Sequence, residues 1–231
     1  VTALCVHQLF NRIKMMSASK IRVWDPFVRL FHWSLVISYF TAYLSGEEES
    51  MIHIYSGYAV IILVLSRRVW GFVGSRYARF QEFAYSPASA LEYLKQLAAG
   101  RPGHYIGHNP AAAWMIFTLL FCLIMTSVSG LKVYGIEGYG PLASSPAESN
   151  VIITEFSPIR TASADDDDEY DEHDDEEHEN EEEEAWEEIH EFFANLTLLL
   201  VFVHIAGVIV ASKVHKENLV KAMITGSKES T

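Results

Sequence analysis

The segment from Trp186 to Ser212, WEEIHEFFANLTLLLVFVHIAGVIVAS, constrains the fold more than any other stretch. An apolar run of this length can satisfy its backbone in lipid only as a helix. It carries two histidines, His190 and His204. At about 1.5 Å and about 100° per residue, they stand ~21 Å apart along the axis and only ~40° apart around it. Two imidazoles therefore look to nearly the same side of one helix. An unpartnered polar ring in hydrocarbon costs on the order of a few kcal/mol, so each needs something to bind.

Four spans are expected, at about residues 27–44, 51–73, 111–131 and 189–212. The first follows Arg and Lys as a signal peptide would, but no small-x-small cleavage site follows it, so an uncleaved anchor is expected. In the second, Arg67 and Arg68 are expected to reach the headgroups, with Trp70 in the aromatic belt. Between spans two and three, Ser86-Pro87 reads as a cap and first helical residue, Leu91, Leu94 and Leu97 as an apolar stripe, and Gly100 as a stop. A short helix lying on the membrane surface is expected there. The following GRPGHYIGHNP is a loop by its Gly and Pro, and its histidines, His104 and His108, read first as solvated, with a quinone-related role as the sharper alternative.

The net charge of −13 misleads, because nineteen of the thirty acids lie between Asp165 and Glu191. The other eleven face seventeen Lys and Arg, so the remainder is basic by six. Fifteen of those seventeen bases fall on one side of the four-span arrangement, which by the positive-inside rule makes both termini cytoplasmic. The bases flank apolar spans and form no patch with aromatics, so nucleic acid is not an expected partner. Cys5 and Cys122 belong to no C-x-x-C pair, and C-x-x-C-H is absent, so any haem is held non-covalently. The first fourteen residues, ahead of Met15-Met16, carry no weight. The expected fold is thus an all-α membrane protein. It is a four-transmembrane-helix bundle with a short interfacial helix and a disordered acidic periplasmic loop over about 132–188. Residues 1–23 form a cytoplasmic N-terminal segment and 24–231 the membrane domain.

Two more histidines, His32 and His53, occur in the first two spans. Span one enters from the cytoplasm and span four returns to it, so His32 and His204 fall at matched depths, ~9 and ~12 Å above the inner ends. His53 and His190 match at the outer side. Gly57 and Gly207, about one turn from their histidines, leave room for a flat macrocycle. All four histidines are candidate haem ligands, His32 with His204 and His53 with His190. Bis-imidazole ligation leaves no open iron position, which suits electron transfer, and no residue is assigned as a catalyst. Against this stands an interhelical hydrogen bond for each ring. Arg29 reads as a snorkelling residue or as the neutraliser of a haem propionate. The acidic run reads as a solvated brush, a docking surface for a basic partner, or a weak cation site with His173 and His178. The rival function is a divalent-metal transporter using that loop and the intramembrane histidines.

The chain resembles the prokaryotic cytochrome b561 family, which includes the b-type cytochrome subunit of nickel–iron hydrogenases. VWDPFVRLFHW around His32, MIHIYSGY around His53 and RRVWGFVGSRYARF after span two carry the likeness, with GHNP at Gly107–Pro110, VFVHIAGV around His204 and the tail ENLVKAMITG. The resemblance implies a four-helix cytochrome of the bacterial inner membrane with haem b, in two copies, on His32, His53, His190 and His204. It implies electron exchange between the quinone pool and a periplasmic c-type cytochrome or dehydrogenase. Quinol oxidation or quinone reduction would be its chemistry. The acidic outer loop departs from the family pattern.

Overall fold

The computed structural model describes residues 20–46, 50–101, 103, 105, 107–143 and 172–229. The elements run β1 (Lys20–Arg22), α1 (Pro26–Leu44), α2 (Met51–Val73), α3 (Pro87–Ala98), α4 (Pro110–Ile136), α5 (Glu172–His215), α6 (Leu219–Thr225) and β2 (Ser227–Glu229). Tight 3-10 turns at Arg76–Ala78, Phe80–Phe83 and Gly140–Leu142 join them. The chain divides into two compact units. The larger takes in the described residues up to Ile124 together with Asn195 onward, and the smaller is Met125–Ala194.

Short polar side chains begin most helices by accepting an orphan N–H. Asp25 accepts from the Val28 N–H at 2.8 Å ahead of Pro26, and Ser50 accepts from the His53 N–H at 3.4 Å. Ser86 accepts from Ser89 at 3.2 Å, Asn109 from Ala112 at 2.8 Å ahead of Pro110, and Asn218 from Lys221 at 2.8 Å. Proline after the cap costs nothing, since its missing N–H would have been an orphan. Helix α6 stops at Gly226, whose φ of +84° is natural only to glycine.

In the larger unit α1 packs on α2, and Tyr39, Val60, Val64 and Leu123 form a buried cluster. Leu198 of α5 lies against it, and the Tyr43 hydroxyl donates to Asn195 Oδ1 at 2.7 Å. Much of the apolar surface stays outside this core: Ile62, Phe72, Leu199 and Phe202 are all exposed, as lipid-facing residues are. Among the described residues Met51–Val73, Pro110–Ile136 and Glu181–His215 are long and apolar enough to cross a membrane. Helix α1 has spanning length, but Arg29, His32 and its hydroxyl-bearing residues lower its hydropathy.

Three sequence expectations change. β1 and β2 pair antiparallel, with Ile21 opposite Lys228, and the N–H groups of Val23 and Trp24 both donate to the Gly226 carbonyl at 2.9 and 3.1 Å. Three-residue strands leave no alternation to read. Helix α5 begins at Glu172, so the end of the acidic loop expected to be disordered is helical. Glutamate is a good helix former, and acids near a helix N-terminus are favoured by its dipole. Helix α3 buries Ala90 and Tyr93 against protein and leaves Leu91 and Leu94 exposed, which leaves the expected apolar stripe on its outer side. Arg68 is exposed as expected, but Arg67 is only 4% exposed. Residues 144–171, His104 and the first nineteen residues lie outside the described residues.

Candidate functional site

His32 on α1 and His204 on α5 belong to the larger unit, and their half-buried rings lie close enough to interact electrostatically. His32 sits edge-on to Trp33, with ring centroids 5.2 Å apart. Its Nδ1 is buried with no hydrogen-bond partner among the described residues. Buried polar atoms are normally paired, so an orphan in a helix core asks for a ligand. A Cβ built on Gly57 or on Gly207 would meet nothing within 4 Å, so open space lies beside both. Two imidazoles and an orphaned ring nitrogen fit a bis-histidine haem, with open space at Gly207 one turn from His204.

His53 is posed differently. Its Nδ1 lies 2.9 Å from the Ala42 carbonyl, which can only accept, so Nδ1 carries the proton and Nε2 the lone pair. That is the usual state of an iron-binding histidine, whose second nitrogen is steered by a carbonyl. In the smaller unit His190 follows the same rule. Its Nδ1 donates to the Thr126 carbonyl at 2.9 Å and lies 3.3 Å from Oγ of Ser129, a fully buried serine that donates to Met125 O at 2.8 Å. Although it borders the acidic run, His190 is half-buried and oriented. A Cβ on Gly130 would stand 2.8 Å from its Cε1, so glycine is what admits the ring. Nothing in the sequence marks Gly130, because glycine in an apolar helix reads as ordinary packing.

Around the first residues of α1 the larger unit gathers a second polar cluster. Asp25 takes Val28 N–H on Oδ1, and Trp70 Nε1 (3.1 Å) and Ser75 Oγ on Oδ2. Burial alone would raise its carboxyl, but these donors, Ser75 foremost, hold it below the ordinary range. Arg67, near Asp25, donates from Nη2 to Ala78 O at 3.1 Å and lies 4.8 Å over the Phe80 ring, while its Nη1 is buried with no hydrogen-bond partner among the described residues. The expectation that Arg67 reaches headgroups fails because the 3-10 turns after α2 fold back over it. His108, expected to be solvated, packs against Trp24 (4.6 Å) and Phe83 (4.4 Å). Burial, then the charges of Arg67 and Lys228, push its pKa down to about 3, so it is neutral at ordinary pH. A neutral imidazole beside a buried cation can accept a hydrogen bond from a ligand.

Among the described residues no group of three or more His, Cys, Asp and Glu side chains could hold a metal ion.

The sequence model of prokaryotic cytochrome b561 matches residues 23–226. A Bradyrhizobium diazoefficiens protein named probable Ni/Fe-hydrogenase B-type cytochrome subunit is 27% identical over 149 residues, covering 51% of this chain and 59% of that one. The protein of the same name from Rhizobium leguminosarum bv. viciae is 25% identical over 158 residues, 55% of this chain and 64% of that one. The probable Ni/Fe-hydrogenase 1 B-type cytochrome subunit of Escherichia coli K12 is 26% identical over 141 residues, 48% and 59% respectively. The chain thus spans about three-fifths of the length of these relatives. No solved structure matches it.

Proposed function

Since the chain belongs to the prokaryotic cytochrome b561 family of membrane-integral b-type cytochromes, we propose that it carries electrons across a membrane between two b haems. The observation that carries this reading is the neighbouring pair His32 and His204, with the Nδ1 of His32 buried and without a hydrogen-bond partner among the described residues. His53 and His190 are proposed as further axial ligands, each on the carbonyl bond that leaves Nε2 as the basic nitrogen. Bound haem would supply a one-electron iron couple, and two imidazoles per iron would close it to other ligands. The protein's own task is to orient those rings and keep water from them.

Pairing of β1 with β2 supports four crossings. The two strands lie at opposite ends of the described chain and share one sheet, so an even number of crossings separates them. Three helices qualify by hydropathy, and α1 supplies the fourth. The charge asymmetry supports placing this sheet in the cytoplasm, in a bacterial inner membrane. One redox partner is then membrane quinone and the other lies in the periplasm, a c-type cytochrome or a dehydrogenase. The names of the relatives make a nickel–iron hydrogenase the leading example.

The test is haem content and the reduced-minus-oxidised spectrum of variants that still insert. His32→Ala and His204→Ala should each lose the same haem signal and keep the other. His53→Ala and His190→Ala should each cost haem while leaving the His32–His204 signal in place. Full haem content in His32→Ala and His204→Ala would overturn the assignment.

A further inference from the structure

We propose that Arg29 is the carboxylate anchor of the haem held at His32, and that the tail from α6 to β2 sets its pose; this rests on the ligand reading above. Arg29 is the one Lys or Arg in α1 and precedes His32 by three residues, so the two side chains leave the same face about a turn apart. Its Nη1 donates to the Ile224 carbonyl at 2.7 Å. Gly226 lies flat against the guanidinium: a Cβ there would stand 3.3 Å from Nε and 3.4 Å from Cζ. The Nε itself is buried and has no hydrogen-bond partner among the described residues.

No carboxylate of the described protein neutralises this cation. Asp25, one turn earlier, commits Oδ1 to Val28 and Oδ2 to Trp70 and Ser75. A cation this near the start of a helix also opposes the helix dipole. An unpaired buried N–H and an uncompensated charge are both relieved by one ligand, a carboxylate meeting the guanidinium fork. Haem carries two carboxylates on the rim of its macrocycle. The tail holds the donor in position through the Ile224 carbonyl, and the tail is itself held by the Lys228–Glu217 ion pair at 3.2 Å and by the Gly226 carbonyl on Val23 and Trp24.

The experiment uses the full, haem-loaded chain in detergent, with excess apomyoglobin as haem acceptor and a redox titration alongside. Arg29→Gln should release the haem assigned to His32 roughly tenfold faster, the loss expected for one charge-assisted hydrogen bond. At a fixed potential the reduced fraction of that haem should also fall, because an unneutralised carboxylate favours ferric iron. The second haem should not move in either measurement. Arg29→Lys, which keeps the charge but not the fork, should hold the potential near that of the parent and release haem at an intermediate rate. Parental release and potential in Arg29→Gln, or in Arg29→Lys faster release with a potential lowered as far as in a neutral variant, would overturn the anchor. If His32→Ala keeps all its haem, the ligand reading fails instead. A His32→Ala that loses haem beside an unaffected Arg29→Gln condemns the anchor alone.

Discussion

A single methyl group is enough to test how His190 is held. With its Cε1 2.8 Å from where an alanine Cβ would sit at position 130, Gly130→Ala must push the ring off the Thr126 carbonyl or move the helix. Overpacking of this kind costs about 1–3 kcal/mol. The expected outcome is a protein that still accumulates but has lost haem, or has a shifted potential for it, read from the reduced-minus-oxidised spectrum. An unchanged spectrum would mean His190 holds no iron. The four histidines were legible in the sequence because a polar ring in an apolar run demands an explanation. Gly130 and Ser129 were not, since both are small residues of the kind that membrane helices use for packing. Arg67 and His108 were misread for a different reason. What buries them is a pair of 3-10 turns and a loop, and neither has a periodicity from which packing can be read.

Every helix but α5 is started by a short polar side chain, and α1 depends on its cap most. Asp25 serves as cap, as acceptor for Trp70 from α2 and as acceptor for Ser75 beyond it. Asp25→Ala should therefore cost about 1–2 kcal/mol through the cap, with a further loss from two stranded donors. The check is a lower thermal midpoint of the purified protein, accompanied by weaker retention of the haem assigned to His32. A midpoint equal to the parent's would reduce Asp25 to a surface residue. Helix existence was readable from the apolar runs, and the start of α3 from its Ser-Pro signal. The start of α5 was not. An acidic composition rightly excludes collapse into a core, but a helix continued outward from a span needs no core, only good formers and a dipole that welcomes acids.

At the scale of the whole molecule, the sheet of β1 and β2 ties topology to function. A reporter that works only outside the cytoplasm should be active when fused at Ser163 and silent when fused after Thr231; the reverse result would invert the orientation and with it the sides on which the redox partners act. The charge distribution is what the expected orientation rests on. The sheet itself could not be foreseen from six residues without alternation. Its position in the chain has a temporal consequence. At ~5–20 residues per second, a ribosome that has finished Lys20–Arg22 needs on the order of ten to forty seconds to deliver Ser227–Glu229. Throughout that interval the first strand is an open edge, and Arg29 lacks the carbonyl that steers it. The clasp can close only once β2 has been made, so a chain cut short before it declares itself by an edge that never closes.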